Sequence, residues 1–268
     1  MTEYVSHGDP RRSMALLWGK CEAPTRGPKQ ALTVPEIVTA AIELADTEGL
    51  AAVSMRKVAD RLGRSPMALY TYVPSKAELL DIMLDTVFGE VAIDYPRDQG
   101  WRAAAEASAR DGWAFYERHP WVLQISGARS LLGPHELDLY EAQLCVFDGL
   151  ALTGRDMNRI VMVIGDFVRG AAKAVSDARQ APGATGLSDD DWWEARSALL
   201  DEMVGGPETW AERWPTITKI GDENAFDQLD RAPDDDTSYI VWELLDAFEF
   251  GLQRLLDGIE RYIDSRAS

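Results

Sequence analysis

Apolar residues recur along most of this chain at intervals of three and four, the spacing that places them on one face of a helix. Ile37, Ala41, Leu44 and Ala45 make such a face behind Thr33-Val34-Pro35-Glu36. There Thr33 and Glu36 have capping-box spacing and Pro35 stands in the first turn. Gly49 closes that helix. Ser54 heads a short second helix, MRKVADRL, ended by Gly63, with Val58 and Leu62 turned inward. Ser65 heads a third, PMALYTYV, with Pro66 at its first position and Leu69 and Val73 as inward anchors. Pro74 stops it, because the residue before a proline avoids the helical region. Ser75-Lys76-Ala77-Glu78 repeats the capping-box spacing. It starts a fourth helix whose stripe runs through Leu80, Met83, Leu84, Val87, Phe88 and Val91 to a stop at Tyr95-Pro96.

Beyond residue 98 the same period predicts helices near 99–118, 120–126, 135–152, 155–180, 189–204 and 236–264. The stretch 205–235 reads as a loop with room for a short helix. Runs of strict alternation are absent, so strands are not expected. The fold class is therefore all-α. Residues 1–31, broken by Pro10, Pro24, Gly27 and Pro28, read as a mostly unstructured basic arm, with the patch MALLWG as its one apolar element. Residues 32–78 read as a small head and 79–268 as a larger helical body.

Helix, short helix, glycine turn, short helix is the outline of a helix-turn-helix, in which the last helix lies in the major groove of DNA. Its composition suits that task. Ser65 and Ala68 are small enough for close approach, and Met67 and Ala68 offer apolar contact to a thymine methyl. Tyr70 and Tyr72 can donate hydroxyls to phosphates. Lys76, in the first turn of the next helix, adds a cation to free backbone N–H groups that favour an anion. Arg56 is placed for a guanine or a phosphate, Arg64 lies in the turn, and Arg26 and Lys29 form a basic arm able to enter a minor groove.

Charge, taken over the whole chain, argues the other way: 27 Lys and Arg against 45 Asp and Glu, a net −18. Its distribution removes the objection. Residues 1–80 hold 10 basic and 9 acidic residues, and residues 81–268 hold 17 and 36. The acid lies in the body, where it serves solubility, and the head is left able to present a local basic face.

The segments IVTAAIELADTEGLAAVSMRKVADRLG and MALYTYVPSKAELLDIMLD, with their Leu-Tyr pair followed by Tyr and Lys, resemble the N-terminal domain of the TetR family of bacterial transcriptional regulators. The resemblance covers residues 33–91, and the segment RGPKQALT is similar to the basic extension of some members. It implies an Ω-shaped homodimer that sets the third helix of each subunit into successive major grooves of a palindromic operator. By that resemblance Arg56, Ser65, Pro66, Met67, Ala68, Tyr70, Thr71, Tyr72 and Lys76 occupy DNA-contacting positions. One departure stands out: the family often carries a longer polar residue near Pro66–Ala68. Fewer direct base contacts are then available, leaving sequence choice to Arg56, Arg64, Thr71 and DNA shape.

The body suggests a dimer and a pocket. The stripes Ile160, Val163, Ile164, Phe167, Val168, Ala171, Val175 and Val241, Leu244, Leu245, Phe248, Leu252, Leu255, Leu256, Ile259, Tyr262 are wider than one internal contact needs. They are expected to pair with their copies as a four-helix interface. Eight of the nine tryptophans fall in the body. A pocket for a small apolar or aromatic effector is expected between the fourth helix, the 99–180 helices and the 205–230 loop. Its candidate lining is Trp113, Tyr116, Trp121, Met162, Asp166, Trp193 and Trp214. An effector would tilt the fourth helix and spread the reading helices out of register with the groove repeat of roughly 34–36 Å. His119 and His135 read as satisfied surface or loop residues.

No HExxH, GxSxG, P-loop or GxGxxG occurs, and three histidines with two distant cysteines make no metal cluster. The reading is a non-enzymatic regulator, most simply a repressor, without cofactor or metal. A helical structural or interaction protein is the alternative. Cys21 and Cys145 read as free thiols, and neither a signal core nor a membrane span is visible, so a cytoplasmic protein is expected.

Overall fold

The structure is a computed structural model that describes residues 2–6, 8–20, 32–223 and 237–267. Among these there is no strand, only an isolated parallel bridge between Glu3 and Ile125. The helices are α1 Pro10–Leu17, α2 Val34–Glu48, α3 Met55–Arg61, α4 Pro66–Tyr70, α5 Lys76–Phe88, α6 Trp101–Arg118, α7 Pro134–Cys145, α8 Gly154–Thr185, α9 Asp189–Val204, α10 Pro207–Arg213, α11 Pro215–Asp222 and α12 Tyr239–Ala267. The chain divides into two units, one of residues 1–173 with 252–268 and one of residues 174–251. Among the described residues no helix is long and apolar enough to cross a membrane.

In the first unit the core runs from Val5 to Leu131 and is centred on α2, α3 and α5. Ile37, Ala41, Val58, Leu69, Val73, Leu79, Met83 and Val87 are fully enclosed there. The N-caps form at the expected residues. Thr33 and Glu36 make a complete capping box, Ser54 accepts from Lys57 N and Ser65 from Ala68 N. The capping box expected of Ser75 and Glu78 is not completed: Ser75 accepts from Ala77 N, and its hydroxyl donates to the Glu78 carboxylate. The turn from α3 to α4 passes through Gly63 at φ 64°, a left-handed conformation that glycine adopts without a Cβ clash. There Gly63 N bonds Asp60 O and Arg64 N bonds Ala59 O, closing the end of α3.

Several elements differ from expectation. Residues 9–17, expected within an unstructured arm, form α1, with Asp9 accepting from Arg12 N, Pro10 in the first turn, and Leu16 and Leu17 buried. The fourth helix stops at Phe88, where Gly89 N turns back to Asp85 O and Thr86 O. Pro120–Gln124 is a 3-10 turn rather than an α-helix. The stretch 205–235 begins with two short helices, α10 and α11, each opened by a proline.

The first unit is closed by the ends of α8 and α12. Thr153 and Asp156 cap α8 reciprocally, at 3.1 Å and 3.2 Å through backbone N–H groups. Tyr262 on α12 donates to the other Asp156 oxygen at 2.9 Å. The Thr153 and Tyr262 hydrogen bonds hold the Asp156 carboxyl down at about 2. Arg102 at the start of α6 reaches Asp257 at 2.7 Å, Gln253 Oε1 at 3.0 Å and Glu260 at 3.1 Å, all on α12. The second unit carries α9, α10, α11 and parts of α8 and α12. Trp210 and Trp214 pack at 4.6 Å between ring centres, with Arg213 over Trp214.

Candidate nucleic-acid interface and effector cavity

α4 is five residues long and is held by its two ends. Leu69 and Val73 are completely buried and fix its inner side. Its outer side is left bare: Met67 is 73% exposed and Tyr70 is 42% exposed. Ser65 and Thr71 are exposed, and Pro66 and Ala68 are half-buried. Tyr72 leans on the core instead, so less of it is presented than of Tyr70.

The neighbouring cations separate into two groups. Lys57 pairs with Glu48 at 2.8 Å and Arg61 with Glu43 at 2.9 Å, so both tie α3 to α2. Arg56 keeps 85% of its side chain exposed and meets Asp60 at 3.9 Å, a weak exposed pair that a phosphate can outcompete. Arg64 is exposed in the turn. Lys76, at the start of α5, meets Glu3 at 3.2 Å. Arg26 and Lys29 lie outside the described residues.

Within the first unit a cavity opens between α5, α6, α7 and α8. Its inner chamber, about 80 Å³, is walled by apolar side chains including Phe88, Val91, Phe115, Phe147, Val161, Ile164 and Val168. It shares Phe88, Tyr116, Leu139, Gln143, Val161 and Gly165 with a wider outer chamber. The outer chamber carries the polar groups: Arg129, Glu136, Tyr140, Asn158, Asp166 and Arg169. Arg169 donates to Ile125 O at 2.5 Å and sits over the Tyr116 ring at 5.9 Å. Tyr140 donates to Asn158 at 2.6 Å. An apolar chamber with a few placed polar groups at its mouth is the ordinary constitution of a ligand site.

Of the residues expected to line a pocket, Tyr116, Met162 and Asp166 stand in these walls. Trp113 is buried outside them. Trp121 is 1% exposed and donates its indole N–H to Asp46 on α2 at 2.7 Å, which makes it a pillar between α2 and the 3-10 turn 120–124. Trp193 and Trp214 belong to the second unit, as do the described residues of the 205–230 loop. The phenylalanines and Arg169 were missed. An arginine inside the apolar run of α8 was the available signal.

His119 also departs from a loop role. It is 3% exposed, and its two ring nitrogens lie 2.8 Å from Asp46 and 3.0 Å from Glu90. Burial raises the Glu90 carboxyl, but hydrogen bonds from His119 and Arg118 outweigh it and leave the group below its usual range. The ends of α2, α5 and α6 are thereby fastened together.

The comparisons agree with this geometry. Residues 37–83 match the family described as bacterial regulatory proteins, tetR family. Residues 95–263 match the tetracyclin repressor-like C-terminal domain. The chain is 39% identical over 268 residues to the HTH-type transcriptional repressor DrrR1 of Streptomyces coeruleorubidus, covering 99% of this chain and 91% of that protein. It is 34% identical over 175 residues to an HTH-type transcriptional regulator of Saccharopolyspora erythraea, covering 64% and 71%. The Streptomyces coelicolor TetR family protein ActR, crystallised with actinorhodin, superposes with a TM-score of 0.64 at 23% identity, over 87% of this chain and 99% of that one. By the match of both halves and the identity along its length, this chain belongs to the TetR family of bacterial transcriptional regulators.

Proposed function

We propose that the protein acts as a homodimeric repressor that binds a palindromic operator through α4 and is released when an apolar or aromatic molecule enters the α5–α8 cavity. The observation that carries the reading is the division of α4. Its inner side is locked by Leu69 and Val73, while Met67 and Tyr70 stand out in solvent just ahead of α5, a cavity wall. A relative named as a repressor supports that direction of control. The ActR complex with actinorhodin supports a small-molecule effector. The cavity's apolar interior and polar mouth suit such a molecule.

The dimer rests on what one chain leaves uncovered. Most of the α8 and α12 stripes is consumed internally: Ile160, Ile164, Val168, Phe248, Leu252 and Leu256 are buried. Within the first unit Val163 on α8 stays 50% exposed and Tyr262 on α12 40% exposed, surface that a second copy can cover. Operator and effector must oppose one another by one coupling energy, whichever binds first. Footprinting on the DNA upstream of the protein's own gene is expected to show two protected patches about one helical turn apart. Sedimentation is expected to give twice the mass of the chain. A monomer at micromolar concentration, or one unpaired footprint, contradicts the dimeric reading.

A further inference from the structure

Residues 2–6 and 8–20 form a strap that touches both the operator-binding face and the wall of the outer chamber. At one end, Glu3 N donates to Gln124 O at 2.9 Å and Ser126 N to Glu3 O at 2.8 Å. Ile125 and Ser126 belong to the loop that walls the outer chamber. The Glu3 side chain reaches Lys76 Nζ at 3.2 Å. Ser6 N then donates to Asp81 on α5 at 2.8 Å. A β-carbon at Gly8 would stand 2.8 Å from the Glu78 carboxylate, so the strap lies hard against the first turn of α5. Beyond it α1 packs on α5, and the Trp18 indole donates to Leu132 O at 3.0 Å, returning to the end of the same loop.

Two backbone strains mark the strap's contacts. Ser6 at φ 56° and Leu132 at φ 59° are the non-glycine residues in the left-handed region among those described. Each bonds across the strap, and strain of this kind persists where surrounding contacts enforce it and gathers at switch regions.

We infer that Glu3 is an intramolecular competitor for the phosphate that Lys76 would hold, and that the strap transmits the state of the 124–132 loop to the operator-binding face. This inference rests on the DNA-binding reading above. Glu3 and a DNA phosphate are both anions seeking one ammonium. While the loop is fixed, the bridge keeps Glu3 on Lys76 and the phosphate meets an occupied cation. An effector that orders the loop therefore weakens DNA binding by this route, in addition to any tilt of α5. By reciprocity, DNA that captures Lys76 loosens the bridge. Glu3 is a positioning residue here, acting on DNA through Lys76.

The test is a double-mutant cycle in the full chain on a duplex from upstream of its own gene. Glu3→Gln is expected to bind about two- to fivefold tighter than the natural chain, the range an exposed ion pair allows. Its salt dependence should steepen by up to about one ion, because Lys76 now recruits a counterion for the phosphate to release. In the Lys76→Gln background the same change should have no effect. Hydrogen exchange at the Ser126 amide should quicken when duplex is added to the natural chain. A gain from Glu3→Gln that persists without Lys76, an affinity unchanged by Glu3→Gln, or unaltered exchange at Ser126 overturns the strap's role while leaving DNA binding in place. A natural chain that binds no duplex overturns the reading beneath it and the strap's role with it.

Discussion

Met67→Glu is expected to weaken duplex binding by more than about a hundredfold without unfolding the head. The side chain lies in the first turn of α4 and is 73% exposed, so it contributes little to the core. A carboxylate is well tolerated at a helix N-terminus, where the dipole favours negative charge. The anchors that hold α4, Leu69 and Val73, are untouched. Against DNA the same carboxylate faces phosphate and base-edge acceptors, and like charges juxtaposed in an interface cost several kcal/mol, each 1.4 being tenfold. Met67→Ala removes only apolar contact and should lose about tenfold or less. Fluorescence anisotropy of the duplex, with thermal unfolding of each variant alongside, separates the two effects. Natural affinity in Met67→Glu would place α4 away from the DNA.

Trp121→Ala is expected to destabilise the first unit by about 3–5 kcal/mol, the cost of a large-to-small change at an enclosed aromatic. Trp121 is 1% exposed, packs in the 3-10 turn that meets α2, and satisfies Asp46. Removing it opens a void and leaves that carboxylate with His119. Trp121→Phe keeps most of the packing and loses the indole N–H, so about 1–3 kcal/mol should go. The denaturant midpoint measures both. If Trp121 were a cavity wall instead, the alanine variant would stay within about 1 kcal/mol of the natural chain and change effector binding.

How much of this was legible beforehand depended on the range of the signal. The head was readable because its rules are local: Thr33, Ser54, Ser65 and Ser75 cap within three residues, Gly63 turns, and Pro74 stops. α1 was missed although Asp9-Pro10 carries the same cap signal as Ser65-Pro66, because prolines and glycines further along dominated the reading of 1–31. The cavity was harder. Phe88, Phe115 and Phe147 sit on separate parts of the chain and converge only when the helices pack. Tryptophan abundance pointed elsewhere, since the largest aromatics also make the best core pillars, as Trp121 does. His119 looked like a loop residue beside Pro120, and its partners Asp46 and Glu90 are 73 and 29 residues away.

The affinity of the purified chain for duplex DNA from upstream of its own gene, followed across salt concentration, bears most directly on the regulator assignment. Binding through α4 with Arg56, Tyr70 and Lys76 on phosphates predicts tight association at about 50 mM salt. It also predicts a straight fall on logarithmic axes, with at least about a hundredfold lost by roughly 200 mM. Affinity no greater than for an unrelated duplex at low salt would contradict the account.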